Sequence, residues 1–386
     1  MDHKSSWKRL DAKRLDRVAA RLRNDIETGT IHGASLRVSW RGEVMVDFVD
    51  GYADKAANRP LERGSVFIAM SVAKQMTNVL ALSLVEKGLL RMHTRVAEVI
   101  PEFAQFGKET VNLYHLMTHT SGVLRGIPQV KPGVLTSIEK MTDFACGLPL
   151  ECIPGERVNY SLVVAHSLIA AMCLRIDGRG RNYSTMLAED LFAPLGMRES
   201  SLGPREDLVP RVCPLRLAQN GNQSSDSLLA VTEKLVLTPG AEIPAFGILT
   251  TIDDLHRFTE MLRCGGELEG VRVLSPAMLN YCARNFTSTM RNEVWDFILS
   301  ARHWEILPAN LGIGFYVRGE DVRPGPFGML NSPGTFGGFG AGSSGSWVDP
   351  QNELSFSLLS TGLLEDSRHL ERTAVLSDLV ISALCS

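Results

Sequence analysis

Strand patterns lie at both ends of this chain, whereas helical patterns fill its middle. Residues 35–40 and 43–49 alternate between apolar and polar side chains around Arg41-Gly42, which predicts an antiparallel hairpin. Residues 344–360 predict two more strands, joined by a turn that begins at Asp349-Pro350. Helical patterns dominate from Ser71 to about residue 245. This order predicts one mixed, mainly antiparallel sheet built from both ends of the chain, with an inserted helical region.

Three further elements complete this expectation of an α/β (α+β) fold. Residues from about 8 to 28 have the apolar spacing of an amphipathic helix, and a second terminal helix is predicted over about 370–384. Residues 311–317 predict a strand interrupted by glycine. The two terminal helices are expected to flank the sheet.

The length of 386 residues exceeds that of most single domains, so we expect one large unit or two closely joined domains. Residues 1–65 and 246–386 are predicted to form a discontinuous α/β sheet domain. Residues 66–245 are predicted to form a mainly helical domain that carries the Ser71 helix, with the active site between the two.

Composition excludes several classes of partner. The chain is 44% hydrophobic and 22% charged with a net charge of -3, which is ordinary for a globular protein and gives no electrostatic case for nucleic acid or an anionic membrane. No segment reaches the length of a membrane span, and the charged N-terminus lacks the apolar core of a signal sequence. The seven scattered cysteines favour free, buried thiols. A cytoplasmic location is therefore expected.

The sequence Ser71-Val-Ala-Lys74 opens a long apolar helix that Gly88 is expected to end. Positions three apart share a helix face, so Lys74 can reach the Ser71 hydroxyl. Serine needs a nearby base to act as a nucleophile, and a desolvated lysine can serve. The pattern is loose, since Ser5-Ser-Trp-Lys8 and Ser137-Ile-Glu-Lys140 also match it. The alternative for Ser71 is a simple helix N-cap.

Three segments together resemble the serine β-lactamase-like family, in the branch of class C β-lactamases, family VIII-type carboxylesterases and transacylases. They are 67–77 with Ser71 and Lys74, 154–162 with Tyr160, and 338–350 in place of the family's Lys-Thr-Gly, His-x-Gly or Trp-Gly-Gly strand. The resemblance covers roughly residues 30–365 and implies a β-lactamase/D,D-peptidase-like fold.

The resemblance implies a role for each matching residue. Ser71 is the nucleophile, Lys74 its activator and Tyr160 the general acid and base, while the backbone N–H groups of Ser71 and Ala341 form the oxyanion hole. A nearby lysine is expected to lower the pKa of Tyr160 by stabilising the phenolate. The alternative for Tyr160 is an aromatic side chain packed in a loop.

The chain departs from the family where β-lactamases bind a substrate carboxylate. Gly338-Phe339-Gly340 offers neither a cation nor a hydroxyl, and Leu162 replaces the family's asparagine. We therefore expect these four residues to contact an uncharged ester or thioester in an apolar cleft. The alternative for Phe339 is simple filling of the core.

Other motifs are set aside. Gly340-Ala-Gly-Ser-Ser-Gly345 spells a dinucleotide pattern, but a strand-like segment follows it instead of a helix. His115 and His119 have the spacing of zinc ligands but lack the glutamate of that motif, and we interpret them as surface or capping residues. His166 is interpreted as packed, with a position in the cleft as the alternative. No metal or cofactor is predicted.

The predicted function is acyl transfer through an acyl-Ser71 intermediate, most simply as a carboxylesterase acting on a small-molecule ester or thioester. A transacylase that passes the acyl group to an alcohol or amine is the alternative. A β-lactamase or a non-catalytic binding protein also stays open, and the sequence does not indicate the oligomeric state. The apolar residues 285–310, with Trp295 and Trp304, are a candidate lid.

Overall fold

The computed structural model describes residues 7, 9–218, 223–300, 302–306, 309–321 and 324–385, without the side chains of 223–227, 294, 295 and 297. Its centre is a seven-stranded sheet in which every neighbouring pair is antiparallel. In spatial order the strands are β10 (Tyr316–Val317), β11 (Phe336–Gly340), β12 (Ser344–Asp349), β13 (Leu354–Thr361), β2 (Gly33–Trp40), β3 (Glu43–Asp54) and β4 (Arg59–Pro60). The predicted sheet from both ends of the chain, and the α/β fold, are confirmed.

Both predicted hairpins are present. β2 and β3 pair through a turn in which Arg41 and Gly42 have φ of 53° and 86°, the left-handed values that a tight hairpin turn requires. β12 and β13 pair from Asp349↔Leu354 to Ser344↔Leu359. All residues of β2 and β13 are buried, because helices cover both faces of the sheet at its centre.

Three helices pack on this sheet and form its layers. α1 (Ala12–Glu27) and α13 (Asp366–Ile381) contact each other on one face, and α10 (Ile252–Arg263) lies against β12 and β13 on the other. α1 begins at its N-cap Asp11, and α13 begins after Glu365, whose carboxylate accepts from the Ser367 and Arg368 N–H groups. The predicted bounds of 8–28 and 370–384 were therefore wrong by several residues at the capped ends.

The predicted strand over 311–317 was also wrong, since only Tyr316–Val317 is a strand. Gly314 has φ of 83°, which interrupts an extended segment. Its N–H donates to Met117 O, so the preceding residues form a loop packed beside the helical region.

The segment between the sheet strands is mainly helical. α2 (Ala73–Glu86) packs against α7 (Val164–Asp177) in one continuous apolar core that extends to α10. The helices of the segment are α2 (Ala73–Glu86), α3 (Val96–Val99), α4 (Leu113–Met117), α5 (Pro132–Leu135), α6 (Ile138–Cys146), α7 (Val164–Asp177), α8 (Tyr183–Leu187) and α9 (Gln223–Val236). The division into two domains stays a prediction.

Short elements complete the chain. A three-stranded sheet, in the order β5 (Phe67–Ile68), β7 (Ile248–Thr250) and β6 (Ser201–Leu202), joins the residues before Ser71 to those before α10. The remaining elements are β1 (Arg9–Leu10), β5 (Phe67–Ile68), β6 (Ser201–Leu202), β7 (Ile248–Thr250), β8 (Glu267–Leu268), β9 (Val271–Arg272), α11 (Pro276–Cys282), α12 (Glu293–Ser300) and β14 (Leu384–Cys385). Among the described helices, none combines the length and apolar character needed to cross a membrane.

Candidate active site

Ser71 lies in a 3₁₀ turn, Met70–Val72, that leads directly into α2. The turn is fixed from both sides, because Ala69 N–H donates to Ile248 O at 2.8 Å and Ala69 O accepts from Ser344 Oγ at 2.7 Å. Neither the turn nor α2 has a side-chain cap hydrogen bond, so the interpretation of Ser71 as a helix N-cap was wrong.

Lys74 points its amine at Ser71 from a buried position. Its Nζ lies 3.1 Å from Ser71 Oγ and donates to the carbonyl oxygens of Leu162 at 3.2 Å and Ala245 at 3.0 Å. The side chain is 4% exposed, and burial lowers the Lys74 pKa to about 7. The two carbonyls hold the amine in place, so a neutral Lys74 turns its lone pair toward the serine hydroxyl.

Tyr160 is hydrogen-bonded to Ser71 and to Tyr316. Burial outweighs these hydrogen bonds and raises the Tyr160 pKa to about 12. The prediction that Lys74 lowers this pKa was wrong, because Lys74 Nζ lies over the ring, 5.3 Å from its centroid, in an environment where desolvation dominates. Tyr160 is therefore a neutral phenol at pH 7.

His119 supports Tyr160 and was misread as a surface or capping residue. Its ring stacks on the Tyr160 ring with centroids 4.1 Å apart, and its Nδ1 accepts from Ser161 N–H at 3.2 Å. Its carbonyl accepts from Asn159 N–H at 2.7 Å, so His119 bonds the chain on both sides of the tyrosine. Burial lowers the His119 pKa to about 3, and the ring is neutral. The Thr-Ser-Gly turn that follows His119 in the sequence was the signal that could have identified its place near the site.

His166 is fully buried beside His119, with ring centroids 5.4 Å apart, and it does not line the Ser71 pocket. The interpretation of His166 as a packed residue agrees with this position. Among the described residues, no group of three or more His, Cys, Asp or Glu side chains is arranged to hold a metal ion.

The pocket that Ser71 opens has a volume of about 330 Å³, including the part open to solvent. Gly338 and Phe339 line it, and their contact with substrate stays a prediction. Tyr316 contributes an aromatic wall whose ring centroid lies 5.0 Å from that of Phe339. Among the described residues that line the pocket, only Lys74 has a side chain that carries a formal charge near neutral pH, and none has a carboxylate.

Three other predicted site residues are not among those that line this pocket. Leu162 places its carbonyl on Lys74 while its side chain is 36% exposed. Gly340 packs against the nucleophile turn, where a β-carbon would lie 2.7 Å from Met70 Cβ. Ala341 is exposed in the turn after β11 and does not line the pocket. Ala341 directly follows Gly340, and its role in the oxyanion hole stays a prediction.

Backbone alternation along β11 identifies the N–H groups on the pocket side, and it gives Phe339 and Ala341 the same side. The carbonyl of Thr335 accepts from Arg318 N–H at 2.8 Å, so Thr335 faces the β10 side of the strand. Successive residues direct their N–H groups to opposite edges, and Phe339 therefore faces the same side as Thr335. Because β10 ends opposite Gly337, Phe339 N–H is directed to the side of β11 that borders the pocket.

The candidate lid is only partly described. Ile298 and Leu299 of α12 are buried with Leu370 of α13 in a small apolar cluster. Trp304 lines a separate cavity against α13 and does not line the Ser71 pocket, whereas the Trp295 side chain lies outside the described residues. A lid formed by 285–310 stays a prediction.

Comparison with known proteins identifies relatives along most of the chain. The beta-lactamase family matches residues 18–379. The penicillin-binding protein 4 of Amycolatopsis lactamdurans is 29% identical over 74% of this chain and 73% of its own length. The esterase/beta-lactamase LipL of Mycobacterium tuberculosis is 27% identical over 86% of this chain and 77% of its own length. The structure of a family VIII carboxylesterase aligns with 98% of this chain over 100% of its own length. Its TM-score is 0.79 at 20% identity, which supports the fold.

Proposed function

This chain belongs to the beta-lactamase family, and from that premise we propose that it is a carboxylesterase that forms an acyl-enzyme on Ser71. The observation that carries the proposal is the Lys74 amine, buried and held 3.1 Å from Ser71 Oγ with a pKa of about 7. A pKa near the working pH suits a general base. A binding protein has no need of a lysine kept neutral beside a serine.

Acylation follows from this geometry. Lys74 takes the Ser71 proton as Oγ bonds to the ester carbonyl carbon, and the carbonyl oxygen becomes an oxyanion. The N–H groups of Ser71 and Ala341 receive that oxyanion in this proposal, and each such donor contributes about 3 kcal/mol in comparable sites. When the tetrahedral intermediate collapses, the bond to the alcohol oxygen breaks. Tyr160 donates its proton to that oxygen and regains one from the Lys74 ammonium.

Deacylation reverses these proton transfers. Water bonds to the acyl carbon as it loses a proton to Lys74, the bond from the acyl carbon to Ser71 Oγ breaks, and Oγ recovers a proton through Tyr160. The acid is released and the site is restored. An alcohol in place of water would give a transacylase, so product analysis in the presence of added alcohols measures the division between the two reactions.

The charge of the pocket favours an uncharged ester. Lys74 is already bonded to Leu162 O and Ala245 O, and the other lining residues of the pocket offer no formal charge to a substrate carboxylate. Burying an unpaired carboxylate is costly. We therefore expect much weaker turnover of β-lactams, which carry a carboxylate, than of neutral esters. Efficient cleavage of a cephalosporin would contradict this part of the proposal.

The test follows a short-chain p-nitrophenyl ester by nitrophenol release and by the intact mass of the protein. Wild type should show a burst and an adduct on Ser71, both absent in Ser71→Ala. Ser137→Ala is the matched control, because Ser137 belongs to another Ser-x-x-Lys sequence and caps α6 through a hydrogen bond from Lys140 N–H. Turnover that persists in Ser71→Ala, or disappears in Ser137→Ala with the fold intact, would overturn the proposal.

A further inference from the structure

Two side-chain amides on α2 have oxygens that no described residue satisfies. Gln75 and Asn78 are each 2% exposed. Gln75 Nε2 donates to Ser346 Oγ at 2.9 Å, and Asn78 Nδ2 donates to Gly314 O at 3.0 Å. A backbone carbonyl only accepts, so the orientation of the Asn78 amide is fixed. Among the described residues, no donor lies within hydrogen-bonding distance of Gln75 Oε1 or Asn78 Oδ1.

Both amides line the same pocket as Ser71. Gln75 follows Ser71 by four residues and Asn78 by seven, so all three share a helix face. Seven residues of helix span about 10 Å, and helical side chains lean back toward the N-terminus. The amides therefore border the space that continues from the nucleophile along α2. Met117, Leu311 and Phe315 supply apolar surface to this pocket.

Close packing holds these amides in place. A β-carbon at Gly338 would lie 2.6 Å from Gln75 Nε2, and one at Gly314 would lie 2.8 Å from Asn78 Cβ. The backbone at Gly338 and Gly314 therefore packs directly against these two side chains. Buried acceptors without donors destabilise a fold, and native proteins keep few of them. A ligand that supplies the missing donor relieves this penalty.

We propose that the acyl group of the substrate carries a hydroxyl that donates its one hydrogen to Asn78 Oδ1 and lies beside the Gln75 amide, a proposal that rests on the esterase function of Ser71. The hydroxyl lies toward the far end of a short, otherwise apolar acyl chain. The preferred substrates are thus neutral esters of hydroxy acids, and the two amides discriminate them from unsubstituted esters of the same length.

The test compares ethyl esters of ω-hydroxy acids of four to six carbons with their unsubstituted counterparts, and acid release is followed by titration. Wild type should favour at least one hydroxy ester by about tenfold in kcat/KM, the effect of one buried hydrogen bond. Asn78→Leu and Gln75→Leu should abolish or reverse that preference. Thr77→Val, on the same helix with its hydroxyl bonded to Pro244 O, should retain it.

Two controls separate this inference from the proposed function. Ethyl acetate is too short to reach Asn78, so its hydrolysis reports both the esterase function and the folding of each variant. Ser71→Ala protein, which forms no acyl-enzyme, allows the same ester pairs to be compared by equilibrium binding. Acetate hydrolysis with equal hydroxy-ester preference in wild type, Asn78→Leu and Gln75→Leu overturns the inference alone. Loss of ester turnover with selective hydroxy-ester binding overturns the function alone.

Discussion

The pH dependence of acylation tests the role of Lys74 most directly. Burial lowers its pKa from the ordinary 10.5 to about 7, which corresponds to a loss of about 5 kcal/mol of ammonium stabilisation. At pH 7 about half of the side chain is then neutral, against about one part in 3,000 for an ordinary lysine. Because the base must be neutral, acidification protonates Lys74 and slows acylation. We expect kcat/KM to rise with pH and to level off above a midpoint near pH 7.

The decisive perturbation is Lys74→Arg, since a guanidinium stays protonated throughout this range. Removing a general base costs about 10²- to 10⁴-fold, and the rising limb of the pH profile should disappear with it. The assay is the nitrophenol burst from a short-chain ester between pH 5.5 and 9, read at a wavelength where ionisation of the product has no effect. Lys87→Arg, exposed at the C-cap of the same helix, is the matched control.

Two results would refute this reasoning. One is a wild-type profile that does not change between pH 6 and 8. The other is a Lys74→Arg variant that keeps the rising limb, which would place the titrating group elsewhere. Lys87→Arg should reproduce the wild-type profile, so a parallel loss there would indicate a general effect of the added guanidinium.

Three further predictions concern buried groups. Tyr160→Phe removes the hydroxyl bonded to Ser71 while keeping the ring, and should lower kcat by about 10²- to 10⁴-fold; a smaller loss would exclude Tyr160 as the acid. His119→Phe keeps the stack but loses the bond from Ser161 N–H, and should lower kcat by about tenfold at constant KM, whereas a change in KM alone would contradict a positioning role. Lys108 donates to three backbone carbonyls near the end of α6, so Lys108→Met should destabilise the fold by about 3 kcal/mol in urea unfolding, and a loss below about 1 kcal/mol would show that water replaces it.

Features set by short-range pattern were predictable from the sequence. The β2–β3 turn needs two left-handed residues, and Arg41-Gly42 between alternating strands indicates it. The apolar spacing after Ser71 predicted a buried helix, and three-residue spacing predicted contact between Ser71 and Lys74, which the structure shows at 3.1 Å. Both depend only on residues close together in the chain.

Features set by distant neighbours were not predictable in this way. The pKa of Tyr160 depends on how completely the surrounding elements exclude water, and its sequence context contains no such information. The place of His119 depends on a stack with a residue 41 positions later.

The glycine at position 338 affects which substitutions this site can accept. A β-carbon there would lie 2.6 Å from Gln75 Nε2, so any other residue must first displace that amide and its bond to Ser346. A cation introduced at this position to bind a substrate carboxylate therefore acts on the Gln75 amide as well. We expect the effects of substitutions at positions 75 and 338 to be coupled, so that a change toward acidic substrates alters both.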